Sequence, residues 1–273
     1  SKSLTVTAAV GAGGDVSLSN AGTGGITISG NVVGDTNKSG AGGVVIDNTG
    51  KNAPTTISGN VTSYGDDVSI EGNGPMTISG NVMAVNDDVY IANYGTASGN
   101  TTTISGNVTA GDSYLQVYNF GALSSNLNIS GTLTSPSYVD VYSGGNLQLG
   151  KVDAGYQAYI YVDGLSSMLN GPVTAGDYLY YYGSAAITKA KPAAVLTSPY
   201  VYVEALTFQG VNASGAAYAN VGEKPSAQIV TNSLELYMYG SFNAPIAGNT
   251  NWLTNQIQVE ALDRPHLLSD VTR

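Results

Sequence analysis

Cysteine is absent, which removes disulfide staples and thiolate metal sites from consideration. Basic residues are scarce: nine Lys and Arg stand against 19 Asp and Glu, a net charge of −10. A phosphate-backbone partner calls for clustered cations, so no nucleic-acid partner is expected. The only histidine, His266, follows Pro265, and both arginines, Arg264 and Arg273, lie in the same C-terminal segment. No Ser/His/Asp set can be assembled around that histidine, and no Gly-rich phosphate loop sits between a strand and a helix. No apolar run approaches the ~20 residues that span a bilayer, so no transmembrane segment is expected. Nor does a basic segment followed by an apolar stretch open the chain, so an exported protein would be present in its mature form.

What is abundant points the other way. Glycine (36) and tyrosine (19) are plentiful, and 42% of the residues are apolar although only 10% are charged. That is enough apolar surface for a core, and it suits neither a solvated disordered chain nor a collagen. The phrase Ile-Ser-Gly followed by Asn or Thr and then Val or Leu recurs. Aligned on the apolar residue after the glycine, it gives Val32, Val61, Val82, Val108, Leu133, Val152, Val173 and Leu196, spaced 19 to 29 residues apart. A period of that size is one coil per repeat.

A second segment alternates with period two inside each coil: Val68-Ser-Ile70, Val89-Tyr-Ile91, Leu115-Gln-Val117, Val139-Asp-Val141, Ile160-Tyr-Val162, Leu179-Tyr-Tyr181 and Val201-Tyr-Val203. Such segments are strands with one face buried. Gly, Asn, Asp and Pro between them supply turns, and no window carries a helical period. The expected fold is all-β: a single-stranded right-handed parallel β-helix (β-solenoid) of roughly ten coils. At about 4.8 Å per coil it would be a rod on the order of 45 Å long. Residues 1–248 form the solenoid in this reading, and 249–273 form a non-repeat C-terminal tail.

The repeat phrase assigns roles by position. Ile28, Ile57, Ile78, Ile104 and Ile129 are expected to stack inside. Gly30, Gly59, Gly80, Gly106 and Gly131 are expected to turn the corner with positive φ. Asn31, Asn60, Asn81 and Asn107 are expected to form an amide ladder, each side chain bonding to the copies above and below. The sequons at Asn60 and Asn107 fall inside that ladder and read as incidental. No cap precedes the first strands, which suggests a fragment of a longer rod or an open end that accepts a neighbour.

The phrase TTISGNVTAG, Thr102 to Gly111, resembles the repeats of filamentous haemagglutinin-type secreted bacterial adhesins, over roughly Ile26 to Leu206. The resemblance implies a bacterial protein that is secreted, extracellular or at the cell surface, with adhesive or structural work.

Three groups of residues carry candidate chemistry. Asp66, Asp67, Asp87 and Asp88 fall at one corner of successive coils and read as solvated turn residues, with a calcium ladder or a glycosidase-like acid pair as alternatives. Tyr159, Tyr161, Tyr178, Tyr180, Tyr200, Tyr202, Tyr237 and Tyr239 share outward parity. From about Tyr138 onward they would form an aromatic ladder, its middle position reading Ser69, Tyr90, Gln116, Asp140, Tyr161, Tyr180, Tyr202. A ladder of that size needs a cover: the chain's own tail, a second copy or a sugar. The tail concentrates Trp252, Ile257, Val259, Leu262, Leu267 and Leu268, which would cap the rod or dock on the next subunit.

The expected function is that of a non-catalytic structural protein, a self-assembling filament or adhesive fibre built by end-to-end stacking. A carbohydrate-binding adhesin using host or environmental glycans stands second and a polysaccharide lyase or hydrolase third. No cofactor is implied.

Overall fold

The computed structural model describes residues 2–211, 214–217, 229–244, 246–247 and 257–261. All regular structure among them is β, and every pairing between strands is parallel. The chain winds as a β-solenoid. No helix among the described residues is long and apolar enough to cross a membrane.

Each early coil has three strands and three faces. The first face holds Gly25–Ile28, Thr55–Ile57, Met76–Ile78 and Thr101–Ile104; the second holds Val32–Gly34, Val61–Ser63, Val82–Ala84 and Val108–Ala110. The third is an eleven-stranded sheet running from Val16–Asn20 to Ile257–Ala261, close to the ten coils expected. The alignment on Val32 is the observed register: Val32 pairs with Val61, Val61 with Val82, Val82 with Val108, Val108 with Leu133, and so on to Leu196. Pairing in register puts like residues over like. The Ile28, Ile57, Ile78, Ile104 and Ile129 column is fully buried. Each such side chain contributes about 1.5–3 kcal/mol relative to exposure.

At the Ser-Gly-Asn corner the structure corrects two expectations. None of Gly30, Gly59, Gly80, Gly106 and Gly131 is among the glycines with positive φ. Glycine is needed there for a different reason: a Cβ built on Gly59 would run into the carbonyl oxygen of Gly30, and one on Gly80 into that of Gly59. The corner brings backbone against backbone, so even a methyl group has no room. The asparagines do form a ladder, but not amide to amide. The side-chain oxygen of Asn31 accepts the backbone N–H of Asn60 (2.9 Å), Asn60 that of Asn81, and Asn81 that of Asn107. These side chains are exposed. Ser58 and Ser79 add backbone bonds to Ile28 and Ile57 in the preceding coil, each 2.8 Å.

The ladder ends where the phrase decays. Asn107 accepts the N–H of Thr132, and above it the first and second faces merge into the continuous strands Asn126–Ser135 and Asn146–Ala154. There the corner has flattened into a register shift between Ile129 and Thr132. Buried asparagines lie at another corner, where third-face strands end, with Gly72 at the level between Asn48 and Asn93. Asn48 donates to Ala53 O, Pro54 O and Thr55 Oγ1, all at 3.0 Å. Asn93 donates to Gly74 O (2.9 Å) and Thr102 Oγ1 (2.7 Å) and accepts from Gly95 N–H. Asn119 continues this corner through Ser125.

Of the tail, Ile257–Ala261 pairs with this chain's own Ser233–Met238 and extends the third sheet, Ile257 opposite Leu234 and Val259 opposite Leu236. Trp252, Leu262, Leu267 and Leu268 lie outside the described residues.

The two asparagine corners differ in burial, and chemical denaturation separates them. Asn93→Ala strands several buried groups and is expected to cost about 1–3 kcal/mol for each group left unpaired. Asn60→Ala removes one exposed bond and is expected to cost about 0.5–1.5 kcal/mol. Equal losses would contradict this ranking of the corners.

Candidate functional site

The outward side chains of the third sheet form the candidate site. Alternation along each strand sends one residue in and the next out, and parallel register then stacks outward residues into columns. Three columns result. One runs Tyr114, Tyr138, Gln157, Tyr178, Tyr200, Ser233. The middle one runs Ser69, Tyr90, Gln116, Asp140, Tyr159, Tyr180, Tyr202, Glu235. The third runs Ala92, Tyr118, Tyr142, Tyr161, Tyr182, Glu204, Tyr237.

Tyr161 therefore belongs to the third column, and Tyr159 takes the middle place expected for it. The coil pairs Ala158, not Ile160, with Val139, so the expected row was shifted by two residues at this level. The aromatic face also starts earlier than Tyr138. Tyr94 stacks on Phe120 at 5.2 Å, Tyr114 on Tyr138 at 4.8 Å, and Tyr90 meets Tyr118 edge-on at 5.8 Å. Outward parity at 114, 118 and 90 was the available signal for these, while Tyr94 and Phe120 lie just beyond their strands and carry no parity.

The rings stack along the rod. Tyr159 and Tyr180 are parallel, with centroids 5.0 Å apart, and Tyr142 and Tyr161 lie 5.3 Å apart with 13° between planes. Tyr180 continues to Tyr202, and Tyr202 to Tyr237. Ring faces are thus largely occupied by the coils above and below.

Carboxylates interleave with the phenols. Tyr118 donates to Asp140 (2.7 Å), Tyr142 to Asp163 (2.9 Å), Tyr202 to Glu204 (2.7 Å) and Tyr239 to the other oxygen of Glu204 (2.8 Å). Glu235 beside Tyr200 and Asp163 beside Tyr161 act on those phenols too. Burial, together with the bond to Asp163, pushes the Tyr142 phenol up to about 12. The Asp163 carboxylate and burial bring Tyr161 to about 12. Burial followed by the neighbouring carboxylates raises Tyr118, Tyr200 and Tyr202 as well. Burial also raises the Asp140 carboxyl, against the opposing hydrogen bond from Tyr118.

The aspartate corner is a separate feature. Carboxylate oxygens of Asp66, Asp67 and Asp87 come within 4.8 Å of one another. Partial burial raises Asp67, helped by the neighbouring Asp87 and Asp66 and opposed by a backbone N–H from Asp88. The fourth candidate, Asp88, is turned to backbone: its Oδ1 accepts the N–H groups of Ser113 (3.2 Å) and Tyr114 (2.6 Å). Asp66 and Asp87 each accept the N–H of the next residue. The corner is thus built on side chain to backbone bonds.

Comparison with protein-family models, with curated proteins and with solved structures finds no match.

The raised phenols give alkaline stability a definite sign. An unfolded tyrosine titrates near 10, whereas Tyr142 and Tyr161 hold their protons in the folded chain up to about 12. Their contribution is fully present below pH ~10 and is lost as pH rises through the folded value near 12. Absorbance titration is expected to show some of the 19 tyrosines ionising near pH 10 and others only near 12 or with unfolding. A single ordinary step, with the melting temperature unchanged across that range, would contradict the assignment.

Proposed function

We propose that this protein is a non-catalytic structural β-solenoid, secreted to the cell surface or beyond it, that builds an adhesive fibre by end-to-end stacking of copies. Its contact surface is the tyrosine–carboxylate face.

The observation that carries this reading is the continuity of that face. From Tyr90 to Tyr239 every coil of the sheet carries outward tyrosines or their flanking rings, held by ring contacts and by phenol–carboxylate bonds. Contiguous exposed aromatic surface of this kind marks interaction sites, and a pre-ordered face loses little conformational freedom on binding. Stacking of copies draws on the same backbone geometry that joins coil to coil within the chain. A coil edge offers a parallel strand the same N–H and C=O groups whichever copy that strand belongs to. The extracellular bacterial setting rests on the resemblance of TTISGNVTAG to haemagglutinin-type repeats.

A glycan-binding adhesin is the second reading, favoured by the tyrosines that line grooves on this face. It asks sugar rings to lie on aromatic faces, and here most of those faces are covered by neighbouring tyrosines. The lyase or hydrolase reading stands third, because the aspartate carboxylates it needs hold the backbone of their own corner.

Electron microscopy of the purified chain at high concentration tests the fibre. Rods longer than a single chain, growing along the solenoid axis, are the expected result. Dispersed single particles at every concentration would sink end-to-end assembly.

A further inference from the structure

The third column of the aromatic face breaks at one level. It runs Tyr118, Tyr142, Tyr161, Tyr182 and then places Glu204 where the next ring would stand. Among the described residues Tyr182 makes ring contact with Tyr161 alone, at 4.7 Å. Beside this break the surface opens into a cavity of about 470 Å³, lined by Tyr161, Asp163, Tyr182, Glu204, Leu206 and Tyr239. Leu206 and Tyr239 are 45% and 49% exposed and form a solvent-facing rim.

The hydrogen bonding of this cavity is one-sided. The Tyr239 hydroxyl donates to Glu204, and the Ser184 hydroxyl donates to the Asp163 carbonyl. The Tyr239 and Ser184 donors are spent within the protein, so carboxylate oxygen and aromatic ring make up most of what faces a visitor. The one ion pair among the described residues, Lys151 with Asp153, is elsewhere, so Asp163 and Glu204 face no cation of the described residues there. A neutral sugar needs donors as well as acceptors. A cation needs only acceptors and a π face.

We propose that this cavity binds a basic side chain of a partner polypeptide, a lysine ammonium or arginine guanidinium seated against the Tyr182 ring between Asp163 and Glu204. The alkyl stem lies along Leu206 and the Tyr239 ring, as long basic side chains do on apolar surface. The net charge of −10 draws such a partner in and makes the encounter sensitive to salt. This assignment rests on the reading of the tyrosine face as the contact surface of the rod and gives that surface a partner chemistry.

The test is fluorescence anisotropy with a labelled Gly/Ser peptide carrying two central lysines, compared with the same peptide acetylated on both. The lysine peptide is expected to bind, and acetylation is expected to weaken it at least tenfold. Asp163→Asn and Glu204→Gln keep side-chain shape and are expected to weaken it by about tenfold each, the loss of roughly 1.4 kcal/mol of charge interaction. Tyr182→Leu leaves the charge alone and is expected to weaken it several-fold through the missing π face. Asp66→Asn with Asp67→Asn removes two charges at the distant corner and is expected to change little. Thermal melts confirm that each variant is folded.

No binding by the folded protein, equal binding of the acetylated peptide, or equal loss in the Asp66/Asp67 variant would overturn the proposal. So would competition by a neutral oligosaccharide that persists in the Asp163→Asn/Glu204→Gln double variant. Microscopy of the same samples separates the two readings: filaments without lysine-dependent binding sink only the basic-ligand site, and binding by dispersed single chains sinks only the fibre.

Discussion

Parallel backbone pairing at about 4.8 Å per coil is the constraint on which everything else in this molecule depends. Once Val61 sits opposite Val32 and Val82, the residues on either side of them have no freedom in what they meet. Inward positions become columns of Ile and Val, outward positions become columns of whatever the strand carries, and corners become places where turn meets turn. Coils touch only their neighbours, so stability accumulates level by level. The recurring glycines serve this pairing directly. At Gly59 and Gly80 the preceding coil's carbonyl occupies the place of a side chain, and any larger residue would push two coils apart.

Much of this was legible in the sequence because a solenoid repeats its instructions. Period-two alternation revealed the strands, and the spacing of Ile-Ser-Gly revealed the coil. What misled was chemistry inferred by type instead of by direction. The corner asparagines looked like an amide stack, yet their side chains reach backbone N–H groups of the next coil. The buried asparagines Asn48, Asn93 and Asn119 sit at the inward parity of their strands, with Gly72 at the level between Asn48 and Asn93, and that parity is legible in the sequence. Tyr161 was misplaced for a related reason. The coil has three inward positions, Ala158, Ile160 and Val162, and alanine signals the interior too weakly to be counted. Ring order, phenol–carboxylate pairing and the cavity depend on columns spanning five or more coils, where one such slip is enough to hide them.

Inside the rod, substitutions are answered by the facing wall. Tyr181 stands at an inward position of the third sheet and is buried, with its hydroxyl bonded to Ser167 on another face. A large polar-tipped residue is tolerated because a small hydroxyl residue stands across from it and satisfies the buried phenol. Outside the rod, the carboxylates have the same relation to the tyrosines. The phenols of Tyr118, Tyr142 and Tyr239 donate to an Asp or Glu of a neighbouring coil and tie coil to coil, and a hydrogen bond to a charged group is stronger than a neutral one. The stacked hydroxyls are thereby organised as donors to the protein's own acids. The face as a whole becomes aromatic and anionic, where tyrosine alone would have made it aromatic and neutral.

That distinction bears most on the level of Glu204. A ring there would have continued the column from Tyr182 to Tyr237 and gained the ~0.5–1.5 kcal/mol that an aromatic pair contributes beyond its area. The chain places a carboxylate instead, and the carboxylate draws in two phenols, Tyr202 and Tyr239, from neighbouring columns and a neighbouring corner. Stacking is given up on one side of Tyr182, and an anionic hollow opens in its place. Departures from a repeat that open surface to solvent are where function concentrates. The aspartate corner departs too, but its departure returns backbone bonds to the fold. The Glu204 level returns an open aromatic surface flanked by charge, the chemistry from which the basic-ligand proposal starts.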